Sequence, residues 1–228
     1  MVKRSQQPKR LFFVFRAICL LLSVSFALSA DPADDVIKKV EDHYNSARTL
    51  SVHFSEKYSI LGHVRPEEAG TLTLRKQGKM RWDYTRPSGK LFLSDGKNLY
   101  LYTATDNRVE KVPLKDTEDM RAPLAFLLGR LDLKRDFRDI EVSGSGPGDW
   151  TLTAKAKNDR LPYESIVMRI ESDGSISAVK IIGRDESVLK YSFADEKLNP
   201  RVSDEAFRLT IPPGATVGDA LEFGSQEK

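Results

Sequence analysis

The chemistry open to this chain rests on three histidines, one cysteine and a wide scatter of serines and carboxylates. His43 falls in a stretch with helical spacing and His53 on the polar face of an alternating stretch, so the two share no face. With His63 they complete the histidines, and neither an HExxH pair nor a calcium-loop run of acidic residues is present. A metal site is therefore not expected. The serines of Ser143-Gly144-Ser145-Gly146 sit in a flexible loop, SGSGPGD over residues 143–149, and no GxSxG elbow exists. The phosphate-cradling GxxxxGK[ST] pattern is missing too. Asp and Glu recur on alternating polar positions, as a solvated face requires. No catalytic residue and no cofactor is expected, and the chain reads as a non-enzyme.

The only cysteine, Cys19, lies in a segment with its own logic. Lys3, Arg4, Lys9, Arg10 and Arg16 precede any acidic residue, and Ala17–Leu28 is almost wholly apolar. Ala27, Ser29 and Ala30 then offer small side chains before the acidic DPADD. Basic flank, short apolar run and small-residue exit are the parts of an export signal, so residues 1–30 are expected to be cleaved after Ser29 or Ala30. The apolar run falls short of the roughly 20 residues of a spanning helix. Cys19 follows Arg16-Ala17-Ile18 and not the small residues of a lipoprotein cleavage box. Removing the leader takes five basic and no acidic residues from a chain of 36 basic and 33 acidic. The remainder carries 31 against 33, a formal −2, which withdraws the basic face that nucleic-acid binding needs.

The elements of residues 31–228, expected to form a single domain, start with a helix. Pro32, Asp34 and Asp35 suit its start, and Val36, Ile37, Val40 and Tyr44 form one apolar stripe ending near Ala47. Alternation then takes over in Leu50, Val52 and Phe54, in Leu72 and Leu74, and in Met80, Trp82 and Tyr84, the period of half-buried strands. LFLSDGKNLYLY reads as two strands joined at Asp95-Gly96, and Asp173-Gly174 marks another tight turn. Strands are also predicted at Trp150–Ala156, Ser165–Glu171, Ile176–Gly183, Val188–Phe193 and Phe207–Ile211, and a short apolar helix within Met120–Leu131, after Pro123.

Phe54, Trp82, Tyr84, Phe92, Tyr100, Tyr102, Trp150, Tyr191 and Phe193 all lie in these strands, an unusual load of aromatics for an inward face. One early helix and one short apolar helix are its only predicted cover. A curled sheet closed by a movable helix can enclose an apolar ligand, whereas an ordinary sandwich with a filled core predicts no cavity.

The block from Gly70, GTLTLRKQGKMRWDYTRPSGKLFLSDGKNLYLYTATDNRVEKVPL, resembles the central signature of the periplasmic lipoprotein carrier family, LolA. Its elements here are Gly70, Arg75-Lys76, Arg81-Trp82-Asp83-Tyr84, Pro87, Ser94-Asp95-Gly96-Lys97 and Tyr100–Tyr102. APLAFLLG (Ala122–Gly129), FRLTIPPGATV (Phe207–Val217) and VHFSEKYS (Val52–Ser59) are similar to further family segments, with Glu56 where Gln is usual. The resemblance spans roughly residues 33–217 and implies a mainly β fold with a few helices. Its form would be an incomplete, strongly curved antiparallel half-barrel covered by lid helices. It implies an acyl-chain cavity at Phe54, Leu72, Leu74, Met80, Trp82 and Tyr84, and lid residues Leu124, Leu127 and Leu128. Some members tether the lid through an arginine; here the candidates are Arg75 and Lys76, and lysine lacks the planar fork of arginine.

By the same resemblance the chain would be a monomeric periplasmic shuttle with lipid-modified proteins as cargo. It would take them from an inner-membrane lipoprotein-releasing ABC transporter to an outer-membrane acceptor lipoprotein or the outer membrane itself. Acyl chains in water cost about 0.8 kcal/mol per CH₂, so a soluble carrier has to cover them. The rival is a periplasmic regulatory module with the same half-barrel that senses lipid or unfolded peptide.

Overall fold

The computed structural model describes residues 32–113, 131–157 and 163–218. Helix α1 (Pro32–Ser46) opens with proline at its start and Asp34 and Asp35 in its first turn, and buries the stripe Val36, Ile37, Val40 and Tyr44. Next come β1 (Thr49–Ile60), the two-residue β2 (His63–Val64), then β3 (Glu68–Arg75) and β4 (Lys79–Arg86). They are followed by β5 (Ser88–Asp95), β6 (Asn98–Thr103) and β7 (Arg108–Pro113). After residues 114–130 follow α2 (Leu133–Asp136), β8 (Phe137–Gly144) and β9 (Trp150–Ala156). The last strands are β10 (Tyr163–Ile170), β11 (Ile176–Gly183), β12 (Val188–Leu198) and β13 (Thr216–Gly218).

The strands make one open sheet in the order β13-β7-β6-β5-β4-β3-β1-β12-β11-β10-β9-β8, with β2 paired to β1. Two meanders, β3–β7 and β8–β12, are joined by β1, which pairs with β3 on one side and β12 on the other. Pairing is antiparallel except where β13 runs parallel to β7. The curvature shows in the side chains. In a flat sheet β4 and β12, three spacings apart, would be about 14 Å distant, yet the rings of Trp82 and Tyr191 lie 5.5 Å apart.

The convex face carries its own strap. After β12 the chain crosses β3, β4 and β5 on the outside before pairing at the β7 edge. A 3₁₀ turn, Asp204–Phe207, lies on β4 and β5 there and buries Phe207. The strand expected at Phe207–Ile211 is therefore not formed. Phe207 instead packs beneath the Arg75 guanidinium, 5.1 Å from its ring centre, and residues 208–211 join no ladder. Tyr100 and Tyr102 are likewise not on the inward face. Leu99 and Leu101 of the same strand meet the core, so the tyrosines point outward and bond Asp95 and Asn107. The short helix expected within Met120–Leu131, with Leu124, Leu127 and Leu128, lies outside the described residues but for Leu131, which is buried.

Gly70 is the third residue of β3 and follows a register shift, with its Cα facing the β4 backbone. A Cβ there would stand 2.1 Å from the Asp83 carbonyl oxygen, a backbone atom that cannot swing aside. Gly70→Ala is expected to lower stability by about 1–3 kcal/mol, the range of overpacking strain. Urea unfolding should show a lower midpoint with unchanged slope.

Candidate functional site

The concave face is an apolar cup. Phe54, Leu72, Leu74, Met80, Trp82 and Tyr84 alternate inward from β1, β3 and β4 and are all buried in one cluster. Leu152, Ile166, Met168, Val179, Ile181 and Tyr191 join them from the other meander. The Phe54 ring meets the edges of Trp82 and Tyr84 at 4.7 and 5.2 Å. Glu56 also points inward and is 8% exposed; among the described residues it is the one charged side chain so buried.

Helix α1 covers the cup with its apolar stripe. Beneath its C-terminal turn, Tyr44, Leu50, Val52, Leu72, Ile176, Val179 and Phe193 enclose a cavity of about 10 Å³, the room of a single water. Among the described residues the side chains of the cup pack closely against one another and against α1.

A polar rim fastens the helix. Lys39 Nζ donates to Ser172 O at 3.0 Å, and Leu133 N donates to Glu41 Oε1 at 2.8 Å. Asn45 donates to Leu131 O and accepts from Leu131 N, at 2.9 and 2.7 Å. Tyr44 OH donates to Glu196 Oε2 at 3.0 Å and accepts from Ile176 N at 2.8 Å. Burial and the Glu196 charge hold that phenol well above its ordinary pKa. His43 places Nδ1 3.1 Å from Asp173 O and Nε2 2.6 Å from Glu196 Oε1. Two acceptors facing both ring nitrogens call for the doubly protonated imidazolium. The hydrogen bond to Glu196 correspondingly raises the His43 pKa, against the opposing effect of burial. The helix also sits close against the β10–β11 turn. Gly174 is there at φ +89°, and a Cβ on it would come 2.7 Å from Lys39 O.

A model of the family "Outer membrane lipoprotein carrier protein LolA" matches residues 45–210. The chain belongs to the LolA family. Among relatives named outer-membrane lipoprotein carrier protein, that of Nitrosomonas europaea is 26% identical over 91% of this chain and 98% of its own length. That of Cupriavidus necator is 32% identical over 68% of this chain and 72% of its own. In fold, the chain is similar to an uncharacterized conserved protein from Thermus thermophilus. The TM-score is 0.51 at 13% identity, covering 82% of this chain and 99% of that one.

The LolA signature is now readable as structure. In Arg81-Trp82-Asp83-Tyr84 the aromatics face the cup. Arg81 and Asp83 pair on the outside, where Arg81 Nη1 also holds Ala206 O of the strap at 3.2 Å. In Ser94-Asp95-Gly96-Lys97, Asp95 Oδ1 accepts from Lys97 N and Asn98 N at 2.7 and 2.8 Å and so shapes the hairpin. The two candidate tether residues diverge. Arg75 bonds Asp204 and the Val202 carbonyl of the strap, whereas Lys76 Nζ donates to Asn45 O at the end of α1, at 2.6 Å. The Glu196 rim was not picked out from sequence, because no motif announces a carboxylate late in a long strand meeting a histidine 153 positions earlier.

The rim sets a pH dependence with a defined sign. A histidine whose folded pKa lies above its unfolded value of about 6.5 stabilises most below that pH. The contribution is lost as pH rises through the raised, folded value. Thermal melts across pH 5.5 to 8.5 should show stability falling above pH 6.5, and His43→Gln should remove that component.

Proposed function

We propose that this protein carries lipid-modified proteins through the periplasm by burying their acyl chains in the cup. The observation that carries the reading is an apolar concave face contributed by both meanders and covered by one helix along a polar rim. Membership of the LolA family and relatives named as carriers support it. On this reading residues 1–30 act as the cleaved export signal. The cargo passes from an inner-membrane lipoprotein-releasing ABC transporter to an outer-membrane acceptor lipoprotein or the membrane itself. Phe54, Leu72, Leu74, Met80, Trp82 and Tyr84 hold the chains, and Lys76 tethers the cover through Asn45 O. Leu124, Leu127 and Leu128, outside the described residues, are the further lid residues of this reading.

Mass spectrometry of the protein purified from its native envelope should find acylated protein bound to it. Added to inner-membrane spheroplasts, it should release lipoproteins into solution. Absence of both would sink the carrier role. A second measurement addresses the cup itself. Trp82 is fully buried there, and Trp150 is the only other tryptophan. In the Trp150→Phe variant a brominated acyl ligand should quench the remaining fluorescence strongly, whereas binding elsewhere would leave it bright.

A further inference from the structure

At the end of the sheet where α1 leads into β1, β3 turns into β4 and β12 ends, lies an open groove of about 640 Å³. Arg48, Arg75, Lys76 and Arg201 line it, with Thr49, Gln77 and Asn199 among them, and among the described residues no acidic one does. The positive charge is poorly balanced. Arg75 is engaged by Asp204. The Lys76 ammonium meets a carbonyl but no carboxylate. Among the described residues the guanidinium groups of Arg48 and Arg201 form no ion pair or hydrogen bond. Partial burial also pulls the Lys76 pKa below its ordinary value.

The frame that gathers these cations is held by backbone. Lys76 N donates to Arg48 O at 3.0 Å, and Asn199 N donates to Thr49 O at 2.8 Å. Arg48 N donates to Asn199 Oδ1 at 2.8 Å, which uses the amide oxygen and leaves its NH₂ as the group that can donate. Guanidinium forks, an ammonium and an amide form a donor-rich set, and a tetrahedral oxyanion is the group that such a set satisfies. We propose that this groove is an anion site that takes a phosphate group. Like charges collected without a counter-ion repel one another, and a bound dianion or monoanion relieves that repulsion.

The groove opens at the end of the sheet, and alternation directs Thr49 and Arg75 to the face opposite the cup. Thr49 and Arg75 line the groove, while their sequence neighbours Leu50 and Leu74 are buried on the concave face. A phosphate on a lipid headgroup is one source of the anion that this site takes. Free phosphate offers the same chemistry without the chains. The site stands on its own observations, so it can fail while the carrier reading holds, and the reverse.

Isothermal titration in phosphate-free buffer at low salt decides the matter. The probes are inorganic phosphate, dihexanoylphosphatidylglycerol below its micellar concentration, and uncharged dihexanoylglycerol. The wild-type protein should bind the phosphate-bearing probes. The double variant Arg48→Gln with Arg201→Gln should bind them at least tenfold more weakly and leave dihexanoylglycerol unchanged. Much tighter binding of the lipid than of phosphate assigns the site to a headgroup, and equal binding assigns it to free phosphate. A readout without variants is the melting temperature, which phosphate should raise at constant ionic strength where chloride does not. No binding of either phosphate probe, wild-type affinity in the double variant, or no rise in melting temperature overturns the proposal.

Discussion

The ring contacts of Phe54, Trp82 and Tyr191 are the interactions on which the rest of this molecule turns. They join β1, β4 and β12, which only a strongly bent sheet brings together. Once the sheet bends, one face becomes a cup lined from both meanders, and that cup must be covered. Burying a large aliphatic or aromatic side chain is worth about 1.5–3 kcal/mol, so a bare cup of this size would outweigh the whole stability of a domain. Helix α1 supplies the cover at the start of the chain, and β1 follows directly from it into the centre of the sheet. The element that hides the cup is thus joined to the strand that holds its two halves together.

The cover's apolar stripe and its polar rim have different consequences. Val36, Ile37, Val40 and Tyr44 provide most of the gross attraction. An acyl ligand that displaces them substitutes one apolar surface for another, and the apolar term nearly cancels in the exchange. What remains is the rim, where each hydrogen bond is worth about 1 kcal/mol net and more where a charge takes part. On the proposed carrier reading, His43 with Glu196, Asn45 with Leu131 and Lys76 with Asn45 set the balance between covered and loaded states.

Much of this was legible in sequence, because strands with one buried face must alternate. The bounds expected for Trp150–Ala156 and Ile176–Gly183 are those observed for β9 and β11. The six cup residues were named from alternation and family resemblance, and they do converge. The strands left unread are those whose period is broken. In β7 the buried residues are Val109 and Val112, three apart. In β8 a register shift near Asp139, at φ +52°, interrupts the alternation. Phe207–Ile211 failed in the opposite way. It alternates well, but its phenylalanine is consumed by the 3₁₀ turn on the outer face. Tyr100 and Tyr102 show that period two fixes which residues share a face, yet not which face is inside.

One buried group bears on how firmly the cup is closed. Trp82 is fully buried, and its indole N–H has no acceptor among the described residues. A buried donor left without a partner costs about 1–3 kcal/mol, comparable to one or two bonds of the rim. Phenylalanine there would remove the polar atom but leave a cavity in the packed cup, so the indole is held by its bulk against the cost of its N–H. Among the described residues the cup thus holds a polar atom that its closed packing does not satisfy, while the rim around it is satisfied. On the proposed carrier reading a cover displaced by a ligand and then restored needs its two states within a few kcal/mol of each other, and an unsatisfied buried donor narrows that gap.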